Sequence, residues 1–109
     1  MQGISGSDLT VIELVERYIS LKTGVKQSTL ANYKTVINTL NKTEFAFRHV
    51  DQVKLSDAKM YLISLQRSGL GYSSIHNIRG VIRPAFQMAV DDDMILENPF
   101  DFEMSSVLI

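Results

Sequence analysis

The chain contains no cysteine, which excludes disulfide staples and thiolate metal sites and is compatible with a reducing cytoplasm. Long hydrophobic runs are also missing. No apolar stretch approaches the roughly 18 residues that span a bilayer, and the opening MQGISGSD has no apolar h-region of a secretory signal. The sequence reads as a soluble, cytoplasmic protein with no membrane partner, and residues 1–8 read as a flexible N-terminal edge. Histidine is scarce: His49 and His76 stand in different segments, and neither has a His or Cys partner at helical spacing, so no metal and no cofactor are expected. Gly69 and Gly71 lack the following Gly-Lys-Ser/Thr of a phosphate loop. Asp91-Asp92-Asp93 lacks the alternating spacing, the central glycine and the terminal Glu of a calcium loop. No Ser or Tyr has a base at a meaningful spacing, so no catalytic residue is assigned.

What is present is ordinary globular material. With 109 residues, 45% hydrophobic and 21% charged, the chain suits one domain with a single modest core. The net charge of −1 argues against a nucleic-acid partner, but its distribution argues for one. All 11 Lys and Arg lie between Arg17 and Arg83, where the only acids are Glu44, Asp51 and Asp57, so that segment carries +8. The other nine acids lie outside it.

Hydrophobic periodicity predicts four helices. The first runs over Val11–Lys22, opened by a Thr10–Glu13 capping box and stopped by Gly24. Ile12, Val15 and Ile19 form one apolar stripe, and Leu14, Tyr18 and Leu21 a second. Helix two runs over Thr29–Asn41 from a Ser28 cap, with Leu30, Tyr33, Ile37 and Leu40 inward. Residues 43–55 show no helical period and read as a loop whose Phe45, Phe47, Val50, Val53 and Leu55 plug the core; a short strand there would lack a partner. Helix three begins with Ser56 and Asp57 and runs to about Arg67, with Ala58, Tyr61, Leu62 and Leu65 apolar and Gly69 or Gly71 as its stop. Helix four starts from a Ser73 or Ser74 cap, buries Ile75, Ile78, Val81, Ile82, Ala85, Phe86 and Ala89, and is expected to kink at Pro84. Met94, Ile95 and Leu96 are expected to tuck back on the core, whereas the tail DFEMSSVLI has no evident partner segment. The predicted fold is all-α, a compact four-helix bundle.

Two helices carry residues of the types that duplex DNA rewards. Around helix two these are Lys26, Ser28, Thr29, Asn32 and Lys34. On helix four they are Ser73, Ser74, His76, Asn77, Arg79 and Arg83, with Gly80 permitting close backbone approach. The same residue types also make a solvated surface, so composition alone leaves both readings open.

Three segments carry a resemblance: T-L-x-x-Y (Thr29, Leu30, Tyr33), V-x-L-S-D-A-x-x-Y-L-x-x-L (Val53 to Leu65) and S-S-I-x-N-I-R-x-V-I-R-P-A-F-x-x-A-V-x-D-D-x-I-x-x-N-P (Ser73 to Pro99). In order and spacing they resemble the core-binding domain of tyrosine recombinases, and are most similar to phage integrases and the integrases of conjugative transposons. The resemblance implies a SAM-like four-helix core-binding domain over residues 9–100. It implies that residues 101–109 begin a linker to an absent catalytic domain, and that this isolated, monomeric domain has no chemistry of its own. It further implies that the second and fourth helices face the major groove of double-stranded DNA beside the exchange site, within a clamp formed with the catalytic domain, and that other integrase protomers join in the full-length complex. His76-x-x-Arg79 matches the spacing of the family's catalytic His-x-x-Arg but lies inside the core-binding pattern, and no tyrosine follows Tyr72. It is therefore read as a possible DNA contact only. Two other functions fit a small helical domain: a protein-interaction module without a nucleic-acid role, and a helix-turn-helix regulator. The long connection from Lys42 to Leu55 argues against the latter.

Overall fold

Four α-helices connected by loops and short 3₁₀ turns make up the described residues, 8–108, in the computed structural model: α1 (Val11–Ser20), α2 (Gln27–Asn41), α3 (Leu55–Arg67) and α4 (Tyr72–Asp91). The expected edge at residues 1–8 lies outside the described residues apart from Asp8.

The capping box at α1 is present. The Thr10 N–H donates to Glu13 Oε1 at 2.9 Å and the Glu13 N–H donates to Thr10 Oγ1 at 3.4 Å. The Thr10 N–H and, second to it, the Thr10 hydroxyl both donate to the Glu13 carboxylate and hold its pKa below the ordinary value. Gly24 and Gly69 both adopt positive φ, at 70° and 106°, the left-handed conformation that redirects a chain after a helix. Gly71 instead occupies the N-cap position of α4, so Ser73 and Ser74 lie inside the helix rather than before it. Ser28 is likewise inside α2, whose N-cap is Lys26.

α4 is the central element, with α1 packed chiefly against it. Its seven predicted core residues are all buried, as are the four predicted for α3. α2 differs: Leu40 is buried, but Val36 replaces Leu30, which is 43% exposed. Helix α1 ends two residues earlier than predicted, which leaves Leu21 at 66% exposure. Helix α4 runs unbroken through Pro84.

The connection after α2 folds into two 3₁₀ turns, Glu44–Phe47 and Val50–Gln52. Phe45, Val50 and Val53 enter the core as expected, but Phe47 and Leu55 stay exposed. The extended residues between the turns do find a partner, the segment leading into α1: Thr10 and His49 form an antiparallel bridge, with Val11 N–H to Arg48 C=O at 2.9 Å and Val50 N–H to Leu9 C=O at 2.8 Å.

The tail is the largest departure from expectation. Leu96 is 96% exposed, whereas Phe100, Met104 and Leu108 are buried in the core. The ring of Phe100 lies 5.3 Å from Phe86 and 6.0 Å edge-on to Phe45, which stacks on Tyr61. Asn98 makes this return possible: its amide donates to the Arg83 C=O at 3.0 Å and its carbonyl accepts the Phe100 N–H at 3.0 Å. The Asn98-Pro99 turn thus docks the chain on α4.

Candidate nucleic-acid interface

The four helices begin in two different ways. α1 and α3 each carry an acid in the first turn that bonds back to the preceding backbone, Glu13 to Thr10 and Asp57 Oδ2 to the Lys54 N–H at 2.9 Å. α2 and α4 have no side-chain cap and no acid in the first turn. Their first-turn amides remain open, and the partial positive charge of a helix N-terminus attracts anions such as phosphate. Hydroxyls stand beside them: Ser28 and Thr29 on α2, Ser73 and Ser74 on α4. These two helices are the pair that the sequence marks.

Asn32 and Asn77 join them. Each amide donates to the other's carbonyl oxygen, at 3.1 and 2.7 Å. On α2, Ser28 and Thr29 precede Asn32 by four and three residues and therefore share its face. On α4, Ser73, Asn77, Gly80 and Arg83 follow one exposed strip, with His76 beside it and Tyr72 stacked on His76 at 6.0 Å. Ser74 is exposed but rotated toward the Val81 side of the helix. Lys26, at the head of α2, is exposed. Lys34 departs from the group: it lines a groove between α1 and α2 with Glu16, Ile19 and Ile37, away from α4.

The two arginines are already engaged. Arg79 is half-buried at the edge of the strip and donates from Nη2 to the Phe100 C=O at 2.9 Å and to the Phe102 C=O. Its guanidinium lies 5.2 Å from the Phe102 ring centroid, and its Nε is buried without a hydrogen-bond partner. Desolvation, followed by the charge of Arg83, lowers its pKa, while Asp101 and Glu103 oppose the shift. Arg83 is exposed and pairs with Asp101 at 2.7 Å. On this face α4 carries no carboxylate before Asp91, which accepts from the Gln87 amide at 3.1 Å, but the fold lays the tail's Asp101 against Arg83.

Gly80 and Gln87 complete the strip outside the predicted set. A Cβ at Gly80 would meet nothing within 4 Å, so no neighbour within the chain requires glycine there. Asn98, which orients the tail against α4, also lies outside the predicted set; the Asn-Pro pair at the end of the motif is the sequence signal for such a turn. Among the described residues, no group of three or more His, Asp or Glu could hold a metal ion, and no helix is long and apolar enough to cross a membrane.

A small helical bundle with two helix N-termini that lack side-chain caps, joined on one surface, is the class of protein this geometry defines. Residues 10–106 match the model of the phage integrase SAM-like domain, and the chain belongs to that family. It is 30% identical over 105 residues to the transposase from transposon Tn916 of Enterococcus faecalis and to that from Tn1545 of Streptococcus pneumoniae. These alignments cover 96% of this chain and 26% of each relative, so the chain spans about a quarter of their length. Its fold superposes with a TM-score of 0.89 and 35% identity on the Tn1549 transposon integrase in complex with circular intermediate DNA, covering 92% of this chain and 33% of that one. A complex of the same integrase with transposon right end DNA gives 0.88 at the same identity.

Proposed function

We propose that this chain binds duplex DNA as the core-binding part of a site-specific tyrosine recombinase, and that it positions the duplex without performing chemistry. The observation that carries this reading is the Asn32–Asn77 junction between the two helices whose first turns are free of acids. Ser28, Thr29 and Ser73, with the open amides around them, would accept phosphates from one backbone stretch; Lys26 and Arg83 would neutralise others. The α4 strip through His76, Asn77 and Gly80 would then face the groove. Likeness to an integrase solved with DNA supports the DNA-binding reading. Strand cleavage would belong to a separate catalytic domain of the parent protein, and other integrase protomers would complete the assembly on DNA. Arg79, held by the tail, is given a structural role, and Lys34 is placed outside the contact set.

A salt titration with a short mixed-sequence duplex tests the reading. Lys26→Ala and Arg83→Ala are each expected to weaken binding and reduce the slope of log K against log salt by about 0.9 per lost phosphate contact. Unchanged affinity and slope in both variants would contradict it.

A further inference from the structure

The tail does more than complete the core. Phe100 N–H is fixed by Asn98, which also binds the Arg83 carbonyl. The carbonyls of Phe100 and Phe102 are held by Arg79, and the Phe102 ring has two cations nearby, the Arg79 guanidinium at 5.2 Å and the Lys59 ammonium at 5.5 Å from its centroid. Main-chain anchoring on both sides leaves the Asp101 side chain, 67% exposed, directed onto Arg83 at 2.7 Å. Glu103 stands nearby, lining the same groove between α4 and the tail as Tyr72, His76 and Arg79.

The two arginines therefore differ in how readily they can be released. Arg79 makes two bonds to backbone carbonyls while half-buried over an aromatic ring, and freeing it would leave those carbonyls without that donor. Arg83 is tied by one exposed ion pair, a contact with small net stabilisation. A DNA phosphate matches a guanidinium as well as a carboxylate does, and it arrives with the field of a dense polyanion. Asp101 can turn away by side-chain rotation alone, because its backbone N–H is bonded separately to the Asn98 C=O.

We propose that Asp101 is an intramolecular competitor for the phosphate site at Arg83, held in register by Arg79 as a positioning residue. The free chain keeps Arg83 paired with Asp101; duplex binding exchanges the carboxylate for a phosphate while the tail backbone stays docked. This inference rests on the DNA-binding reading and adds to it that the site carries its own counterion.

A double-mutant cycle tests it, with affinities for the same duplex measured by fluorescence anisotropy at low salt. Asp101→Asn is expected to tighten binding about two- to five-fold, as follows from removing a weak surface pair. That gain is expected to disappear in the Arg83→Ala background. An unchanged or weaker affinity for Asp101→Asn would overturn the proposal, and so would the same gain without Arg83, which would mark a general charge effect. If Arg83→Ala weakens binding while Asp101→Asn is silent, the DNA face stands and the competitor falls; if Lys26→Ala and Arg83→Ala are both silent, the DNA face itself falls. Hydrogen exchange without DNA tests Arg79 separately. Arg79→Ala, and Arg79→Lys with its charge kept but its fork lost, should speed exchange of the Val107 and Leu108 amides while α4 stays protected. Unaltered tail exchange in both variants would remove the positioning role.

Discussion

Gly80 is the residue whose identity the chain alone does not explain. It sits mid-helix on the exposed strip of α4, where glycine is about 1 kcal/mol less favourable than alanine, and space for a Cβ is open. Gly80→Ala should therefore raise stability by roughly 0.5–1 kcal/mol in denaturant unfolding and lower affinity for duplex DNA in the same preparation. Improved stability with unaltered affinity would place the DNA elsewhere. Asn77 makes a related point. Replacing it with Leu removes both bonds to Asn32, yet the pair is exposed, so stability should change by no more than about 1 kcal/mol. Affinity should fall several-fold more than that change in stability accounts for, because the ends of α2 and α4 lose their alignment. Equal and small losses in both measurements would reduce the pair to an ordinary surface contact.

Among the elements, α1 carries a pH dependence at its acid-closed start. Glu13 has a lowered pKa in the folded chain because the Thr10 backbone and hydroxyl bond to its charged form. Its contribution is therefore present above its ordinary value of 4.5 and is lost as pH falls through the lower folded value. Thermal unfolding of Glu13→Gln should show a deficit against the parent near neutral pH that closes in acid; a pH-independent deficit would mean that packing, not charge, is involved. The tail has a different signature. Phe100 is fully buried among Phe45 and Phe86, and Phe100→Ala should cost about 3–5 kcal/mol, read as a lower midpoint in denaturant. A loss near zero would return the segment to the role of a linker.

The same elements divide what was legible in the sequence from what was not. α3 and α4 were readable because their apolar residues recur at three and four with little competition from other faces. α2 was harder: its middle is apolar on two sides, at Tyr33, Val36 and Ile37, and periodicity alone does not select which side meets α4. Pairing between residues 9–11 and 48–50 joins segments far apart in sequence, so no local pattern announces it. The tail was misread as unpartnered although Phe100, Met104 and Leu108 recur every four residues, a spacing that a 3₁₀ turn at Met104–Ser106 converts into one inward face. The types of the site residues were legible. The occupation of Arg79 and Arg83 by the tail was not, since it depends on a chain reversal at Asn98-Pro99.

For the whole molecule, charge separation along the sequence becomes charge apposition in space. The basic segment ends at Arg83, and the acidic segment that follows folds back until Asp101 lies against it. On the proposed reading, a molecule of net charge −1 would carry a phosphate-binding strip with its own shield, and duplex DNA would displace the shield at one end while open helix termini receive it at the other. The amide spectrum of the isotope-labelled chain, recorded during addition of a short DNA duplex at low salt, tests this account most directly. Shifts are expected at the first turns of α2 and α4, along Ser73, His76, Asn77 and Gly80, and at the Arg83 and Asp101 amides, and they should fade as salt is raised. Shifts confined to the α1–α2 groove around Ile19, Leu30 and Lys34, or none anywhere, would contradict it.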